Sequence, residues 1–276
     1  MTLPPLPLDQ LIDLAQRAGS AIMQVYGTDF TVQEKADNSP LTEADMAAHR
    51  LIVSELERRT PNIPVLSEES ASIPFETRRQ WRRYWLIDPL DGTREFVKRN
   101  GEFSVNIALI ADHQPVLGVI HAPVTGLTYY GQPGKGAFRR ERKGATMAIQ
   151  VQRRHRSPIQ VAGSRSHAGH RLKRFLHNLE PHRIIRMGSA LKSCLVAEGT
   201  ADIYPRLGPT SEWDTAAAQA IVEAAGGRIT GTDMAPLRYN TKASLLNPSF
   251  FVFGDTSVDW SDYLEDEDPA GQNRDT

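Results

Sequence analysis

The sequence predicts an α/β protein of the α+β kind, built as a two-part sandwich with its functional site between the parts. Three observations carry that expectation. Two amphipathic helices precede a run of short strands, strand and helix patterns alternate after about Ser157, and one apolar strand ends in Asp88-Pro89-Leu90-Asp91-Gly92-Thr93. The 276 residues suffice for one large domain or two ordinary ones with a buried core. The expected division is 1–156 as an N-terminal α+β domain carrying the acidic motifs and 157–262 as a C-terminal α/β domain. Residues 263–276 are expected to be a disordered tail, because the run Glu265-Asp266-Glu267-Asp268 is followed by few apolar groups.

In chain order, residues 8–26 place Leu11, Leu14, Ala15, Ala18, Ile22 and Val25 on one face and stop at Gly27, the pattern of an amphipathic helix. Residues 42–59 form a second, with Thr42 as candidate N-cap, Glu43 and Asp45 in the first turn, and Ala48, Leu51, Ile52 and Leu56 inward. Strands are expected at 64–66, 84–87, 104–111 and 116–121, the last two joined by the turn Asp112-His113-Gln114-Pro115. Glycine-punctuated pieces at 126–131 and 136–140 extend a meander. The first part therefore reads as helices on one side of a mostly antiparallel sheet. The basic stretch 139–156 marks the boundary, and beyond it come a strand at 159–162, a helix at 169–179, a strand at 183–187, a helix at 190–198, a strand at 202–205 and a helix at 213–225.

Charge and composition exclude several function classes. A net charge of −1 leaves no global footprint for nucleic acid. The basic-aromatic segment Arg78-Arg79-Gln80-Trp81-Arg82-Arg83-Tyr84-Trp85 reads as a solvated helix end leading into a buried strand rather than as a nucleic-acid or lipid surface. The single cysteine, Cys194, rules out an intrachain disulfide, suits a reducing cytoplasm, and sits in a helical apolar pattern as a small buried hydrophobe. No apolar run approaches a membrane span and the N-terminus lacks a charged segment before an apolar one, so neither an integral anchor nor a secretory signal is expected.

The chemistry is concentrated in acidic side chains. Asp88 and Asp91 offer the hard oxygen ligands that Mg²⁺ takes, Pro89 stiffens the turn between them so that both carboxylates face the same side, and the amides of Gly92 and Thr93 would point at an anion from a helix start. Glu68 and Glu69 follow the apolar segment 63–66, so they stand at a strand end, although an exposed acidic turn is the plainer alternative. Asp214 in Trp213-Asp214-Thr215 could likewise be a helix cap. Together the four carboxylates are enough to hold two hard metal ions if the fold brings them together.

Asp88-Pro89-Leu90-Asp91-Gly92-Thr93, the upstream Glu68-Glu69, and Trp213-Asp214-Thr215-Ala216-Ala217-Ala218 with Gly226-Gly227 resemble the two signatures of the inositol monophosphatase superfamily. They stand in its order and at its spacing, and the likeness runs from the first helix to about Gly254. The resemblance implies a layered αβαβα sandwich of the inositol monophosphatase and fructose-1,6-bisphosphatase type. It implies that Glu68, Asp88 and the Leu90 carbonyl hold one Mg²⁺ and that Asp88, Asp91 and Asp214 hold a second, with a third, weaker ion near Glu68. Thr93 would orient the attacking water and pair with Asp45, with Glu68 as the third catalytic group, while Lys35 and Asp37 would sit on a loop near the metals. Glu68, Leu90, Asp91, Gly92, Thr93 and Asp214 would also meet the substrate phosphate. Such a site performs phosphomonoester hydrolysis by direct in-line attack of water, because the metals offset the repulsion between a phosphate dianion and its nucleophile.

Substrate choice is expected from the second half. Val161-Ala162-Gly163-Ser164-Arg165-Ser166-His167 runs a strand into a donor-rich turn, and Gly188-Ser189-Ala190-Leu191-Lys192 and Tyr204-Pro205-Arg206 add cations and hydroxyls at element edges, as a second phosphate would require. These strings are similar to the bacterial 3′(2′),5′-bisphosphate nucleotidase branch of the superfamily. That likeness implies removal of the 3′-phosphate of adenosine 3′,5′-bisphosphate (PAP) to give AMP, action on the sulfated analogue PAPS, a role in sulfur metabolism, and sensitivity to lithium. Gly163, Ser164, Arg165 and His167 would contact the nucleotide, and Ser189, Lys192 and Arg206 its sugar and 5′-phosphate. The alternatives are an inositol-1-phosphate phosphatase, for which Glu212 would read a hydroxyl, and a catalytically silent anion-binding protein. A monomer or homodimer in the cytoplasm is expected, and the resemblance leaves peripheral association at the inner membrane open.

Overall fold

The computed structural model describes residues 6–34, 40–164, 169–179 and 181–264. Its first elements are α1 (Leu8–Tyr26), the short hairpin β1 (Val32–Glu34) and β2 (Pro40–Thr42), and α2 (Glu43–Arg59). Next come β3 (Val65–Ser67), α3 (Phe75–Arg78), β4 (Arg83–Asp91), α4 (Thr93–Val97), β5 (Ser104–Ala111), β6 (Gln114–Ala122), β7 (Leu127–Gln132), β8 (Gly136–Arg140) and β9 (Thr146–Ile149). The remainder is β10 (Ile159–Gly163), α5 (His170–Asn178), β11 (His182–Arg186), α6 (Leu191–Ala197), β12 (Ile203–Arg206), α7 (Glu212–Ala224), β13 (Arg228–Gly231) and β14 (Phe250–Phe253).

Strands β3 to β9 form one seven-stranded sheet in sequence order, antiparallel except for the parallel pair β3 and β4. The second sheet has five strands in the order β11-β10-β12-β14-β13, with β10, β11 and β12 mutually parallel in direction and the β14 pairs antiparallel. Both sheets are apolar on two faces, and the period of two along each strand sorts side chains into layers. On β4, Trp85 and Ile87 face α1 and α2, whereas Tyr84 and Leu86 face the interior that α6 and α7 fill. On β14, Phe250 and Val252 join that same interior, and Phe251 and Phe253 turn outward to Phe175 of α5. The result is the five-layer αβαβα order that the resemblance implies.

Several local expectations are revised. The turn after β5 is only Asp112-His113, both at positive φ (47° and 66°), so Gln114 and Pro115 already belong to β6. The basic stretch taken as a boundary contains β9, paired with β8. Arg78 is not solvated: it is 2% exposed, stacks on Phe75, and donates to Asn240 Oδ1 at 2.5 Å and to the Ala243 carbonyl. Arg79 and Arg82 do lie at the surface, paired with Glu76 and Asp112. Tyr263 and Leu264, the first residues of the expected tail, pack on the α5 cluster, beside the fully buried Trp260. The rest of that tail, 265–276, lies outside the described residues. Among the described residues no helix is long and apolar enough to cross a membrane.

Candidate active site

The site is assembled at the end of β4, where the sequence places its carboxylates. Residues three apart on a regular strand point to opposite faces. Here Asp88 pairs with Asn106 and Asp91 with Ser104, so one extra residue sits on β4. That bulge, within the strand rather than in a turn after it, brings both carboxylates to one side. Gly92 follows at φ 92° and ψ 41°, a left-handed conformation that favours glycine, and reverses the chain into α4. Glu68 arrives from the parallel neighbour: Ser67 is in register with Ile87, which sets Glu68 beside Asp88 in a half-buried turn. His49 of α2 is hydrogen-bonded to Ser67 at 2.9 Å and ties that turn down.

Asp214 comes from the second half of the chain. It occupies the third position of α7 and accepts the Ser211 amide at 2.8 Å in a capping box. Capping and ligand donation are compatible, since the one Ser211 bond leaves the carboxylate further lone pairs. Asp88, Asp91 and Asp214 each bring an oxygen to within 4.8 Å of the others, the one such acidic group found among the described residues. Asp91 Oδ2 is held by the Ala190 amide at 2.5 Å and the Asn106 side-chain amide at 3.2 Å, and Ser104 donates to Asn106 at 2.9 Å. The Leu90 amide donates to Asp88 Oδ1 at 3.1 Å.

Such crowding has an electrostatic cost. Burial, then the charges of Glu68, Asp91 and Asp214, drive the Asp88 carboxyl well above its ordinary value. Burial likewise raises Asp91, with Lys192 and the Asn106 and Ala190 hydrogen bonds opposing, and burial with the Asp91 charge pushes Asp214 up to about 8. A close-set group of hard oxygens that repel one another is what a divalent cation relieves, so the donor chemistry fits one.

Beside the cluster, Thr93 Oγ1 donates to Asp45 Oδ1 at 3.1 Å and lies 3.3 Å from the Leu90 carbonyl. Asp45 Oδ2 accepts the Thr42 amide at 2.8 Å and hydroxyl at 2.6 Å. Thr42 is the N-cap of α2, so the cap and the Thr93 contact coexist on one carboxyl. Burial raises the Asp45 carboxyl despite the opposing Thr42 bonds.

A cleft of about 840 Å³ opens over these groups, lined by Glu68, Asp88, Leu90, Asp91, Gly92, Thr93, Ser164, Arg206 and Asp214. A recess of about 190 Å³ adds Ser189 and Lys192. Lys192 Nζ donates to the Ser189 carbonyl at 2.7 Å over the Tyr204 ring, and Arg206 donates to the Pro209 carbonyl at 2.9 Å. Ser164 and Arg206 stand at the C-terminal ends of parallel strands β10 and β12, where open α/β sheets characteristically bind ligands.

Gly163 does not line the cleft: its carbonyl accepts the Met187 amide at 3.0 Å in the sheet. Arg165 and His167, and likewise Lys35 and Asp37, lie outside the described residues. Glu212 is buried at 1% exposure, with both carboxylate oxygens accepting the Asn240 amide at 2.8 and 3.0 Å, and it does not line the cleft. The cleft also presents Arg94, Glu95, Thr210 and Trp213, which sequence reasoning did not single out as site residues. Arg94 and Glu95 immediately follow Thr93 and were the findable pair, because a helix opening on a site aims its first turn at it.

Known proteins place this geometry. A model of the inositol monophosphatase family matches residues 7–252. The 3′(2′),5′-bisphosphate nucleotidase CysQ of Escherichia coli K12 is 52% identical over 247 residues, 89% of this chain and 98% of that protein. The enzyme of the same name from Haemophilus influenzae is 39% identical over 254 residues, 92% and 94% of the two chains. Among solved structures, CysQ from Bacteroides thetaiotaomicron aligns with a TM-score of 0.77 at 41% identity, covering 88% of this chain and 94% of its own. An IMPase from Thermotoga maritima aligns with a TM-score of 0.75 at 27% identity, covering 90% and 91%.

Proposed function

The chain belongs to the inositol monophosphatase family, and from that premise we propose a Mg²⁺-dependent 3′(2′),5′-bisphosphate nucleotidase that converts PAP to AMP and phosphate and acts on PAPS in the same way. The observation that carries the reading is the trio of buried Asp88 and half-buried Asp91 and Asp214 at the floor of a cleft that continues to Ser189, Lys192 and Arg206. The floor suits the phosphate that is cleaved, and the cations suit the one that is kept.

On this reading Glu68, Asp88 and the Leu90 carbonyl hold one Mg²⁺, and Asp88, Asp91 and Asp214 a second, with a third near Glu68. Bound Mg²⁺ supplies charge neutralisation of the phosphoryl oxygens and a more acidic water. The chain's own groups do the positioning. Because the Thr93 hydroxyl spends its proton on Asp45, its lone pairs are left to accept a hydrogen bond from the attacking water and hold it in line. A proton leaving that water reaches Thr93 Oγ1 as the Thr93 proton passes to Asp45, whose buried carboxyl is already shifted toward accepting it. Gly92 and Thr93 line the phosphate position, and Ser164 with Arg165 and His167 serves the nucleoside, while Gly163 acts only through the sheet bond that places Ser164. Residues 1–156 carry most of the metal ligands, and 157–262 complete the nucleotide end.

The inositol alternative needs an acid that reads a sugar hydroxyl. Glu212, its candidate, spends both oxygens on Asn240. The test is phosphate release from PAP and from inositol 1-phosphate, side by side, with Mg²⁺ and with chelator. Mg²⁺-dependent preference for PAP is expected; preference for inositol 1-phosphate overturns the substrate and keeps the metal site.

A further inference from the structure

Phosphate chemistry accounts for the floor of the cleft but not for its lip. Leu172 of α5 and Leu246, from the segment before β14, both line the cleft. Leu246 is 51% exposed, and neither leucine belongs to or packs on any of the core clusters among the described residues. A lone exposed leucine is ordinary on a protein surface. This one is fixed in place beside the site. Leu246 pairs antiparallel with Ser211, the Glu212 amide donates to the Leu245 carbonyl at 2.8 Å, and the Asn247 amide donates to the Thr210 carbonyl at 2.8 Å. The Asn247 side chain adds bonds to the Ser211 carbonyl at 2.6 Å and the Thr215 hydroxyl at 3.0 Å. All of these bonds tie the lip to the turn that delivers Asp214, so an apolar side chain is held at fixed register from a cluster carboxylate.

We infer that Leu246 and Leu172 form the base subsite of the cleft, a platform that takes the apolar face of a purine. The inference rests on the nucleotidase reading and deepens it. Leu207 and Trp213 extend the same wall, each backed by a core cluster. Leucine side chains offer apolar area and dispersion but no donor or acceptor. The subsite therefore reads the size and planarity of the base and is nearly blind to its hydrogen-bonding edge, so adenosine and guanosine 3′,5′-bisphosphates should differ by less than about tenfold in kcat/KM, as expected for apolar discrimination.

The experiment is steady-state hydrolysis of PAP and of its base-free analogue, 1-deoxyribose 3,5-bisphosphate, by the wild type, Leu246→Ser and Leu172→Ser. The wild type should favour PAP in KM, and Leu246→Ser should shrink that preference about five- to tenfold, the scale of removing a partly buried leucine contact. Equal changes on both substrates, or no change in their ratio, overturn the subsite. Because Leu246 supports no core cluster, its variant should melt with the wild type; if Leu172→Ser does not, Leu246→Ser alone decides. Hydrolysis of inositol 1-phosphate without PAP removes the nucleotidase reading and the subsite with it. Full PAP turnover with an unmoved ratio removes the subsite only.

Discussion

The behaviour of single residues at the floor follows from charge. Asp214 both caps its own helix through Oδ2 and brings an oxygen to the cluster, at the expense of repulsion from Asp91 and Glu68. Asp214→Asn keeps a cap acceptor, removes a charge, and leaves packing almost untouched. In chelator the variant should melt at or above the wild type, because Asn does not bear the folding cost of a carboxyl pushed up to about 8 by its neighbours. With Mg²⁺ at about 100 times its dissociation constant the wild type should gain roughly 2.7 kcal/mol, and the variant far less, with turnover abolished. Thermal melts with and without Mg²⁺ check this, and a variant that keeps the full Mg²⁺-induced rise would remove Asp214 from the ligand set. The carboxylates were legible as residue types and order. Their common face was expected from Pro89, but not the means, because it depends on a bulge inside the strand between Asp88 and Asp91 and on Asn106, a strand residue in an apolar run whose amide holds Asp91. Glu212 misled for the same reason: adjacency to Trp213 in sequence says nothing of a side chain that turns inward to Asn240.

At the scale of elements, α7 decides whether the two halves make one site. It packs on the first sheet although it comes from the second half, with Ala217 against Gly118 of β6 and Ala224 against Gly131 of β7. The alanine run Ala216-Ala217-Ala218 and the two glycines are the same fact seen from two elements: helix and sheet approach so closely that no larger side chain fits. A Cβ at Gly118 would overlap the Ala217 carbonyl, which is backbone and cannot rotate away. Gly118→Ala should therefore cost about 1–3 kcal/mol as overpacking and push back the first turns of α7, three residues from Asp214. Because a shift of about 1 Å at a reacting centre can cost on the order of 100-fold in rate, turnover should fall more than stability. Paired melting and kinetic measurements test it, and a variant with wild-type turnover would show that α7 does not set the cluster. Periodicity made the helices and most strands readable. What it could not show was which sheet each helix covers, nor that β9 hides in a basic stretch, since its residues are mostly exposed and have no apolar alternation to reveal them.

For the whole molecule, the connection between the two sheets is pinned by Asp255, just after β14. Its carboxylate accepts the His155 amide at 3.1 Å, the His155 ring at 2.9 Å, and the Ser257 amide and hydroxyl at 3.0 and 2.6 Å. His155 lies on the segment that carries the chain from β9 to β10, so one buried carboxylate joins the end of the second sheet to the link between the sheets. Burial alone would raise this carboxyl, but the Ser257 and His155 hydrogen bonds outweigh it and hold the group down at about 2. A folded pKa below the unfolded one makes the unfolded chain bind more protons, so the stabilisation is complete above the unfolded value near 4 and is lost as pH falls toward about 2. A depression of this size corresponds to about 2–3 kcal/mol. Asp255→Asn should lower stability by that order at pH 7, and the gap between variant and wild type should narrow steadily as acid melts descend from pH 4 to about pH 2. The site should respond more weakly than the fold, since Asp255 lines none of the cleft: kcat at a temperature well below the melt should be close to wild type. A gap that stays constant from pH 7 down to about pH 2 would mean that the carboxylate's charge is not what joins the two sheets, and that packing around Trp260 does so instead.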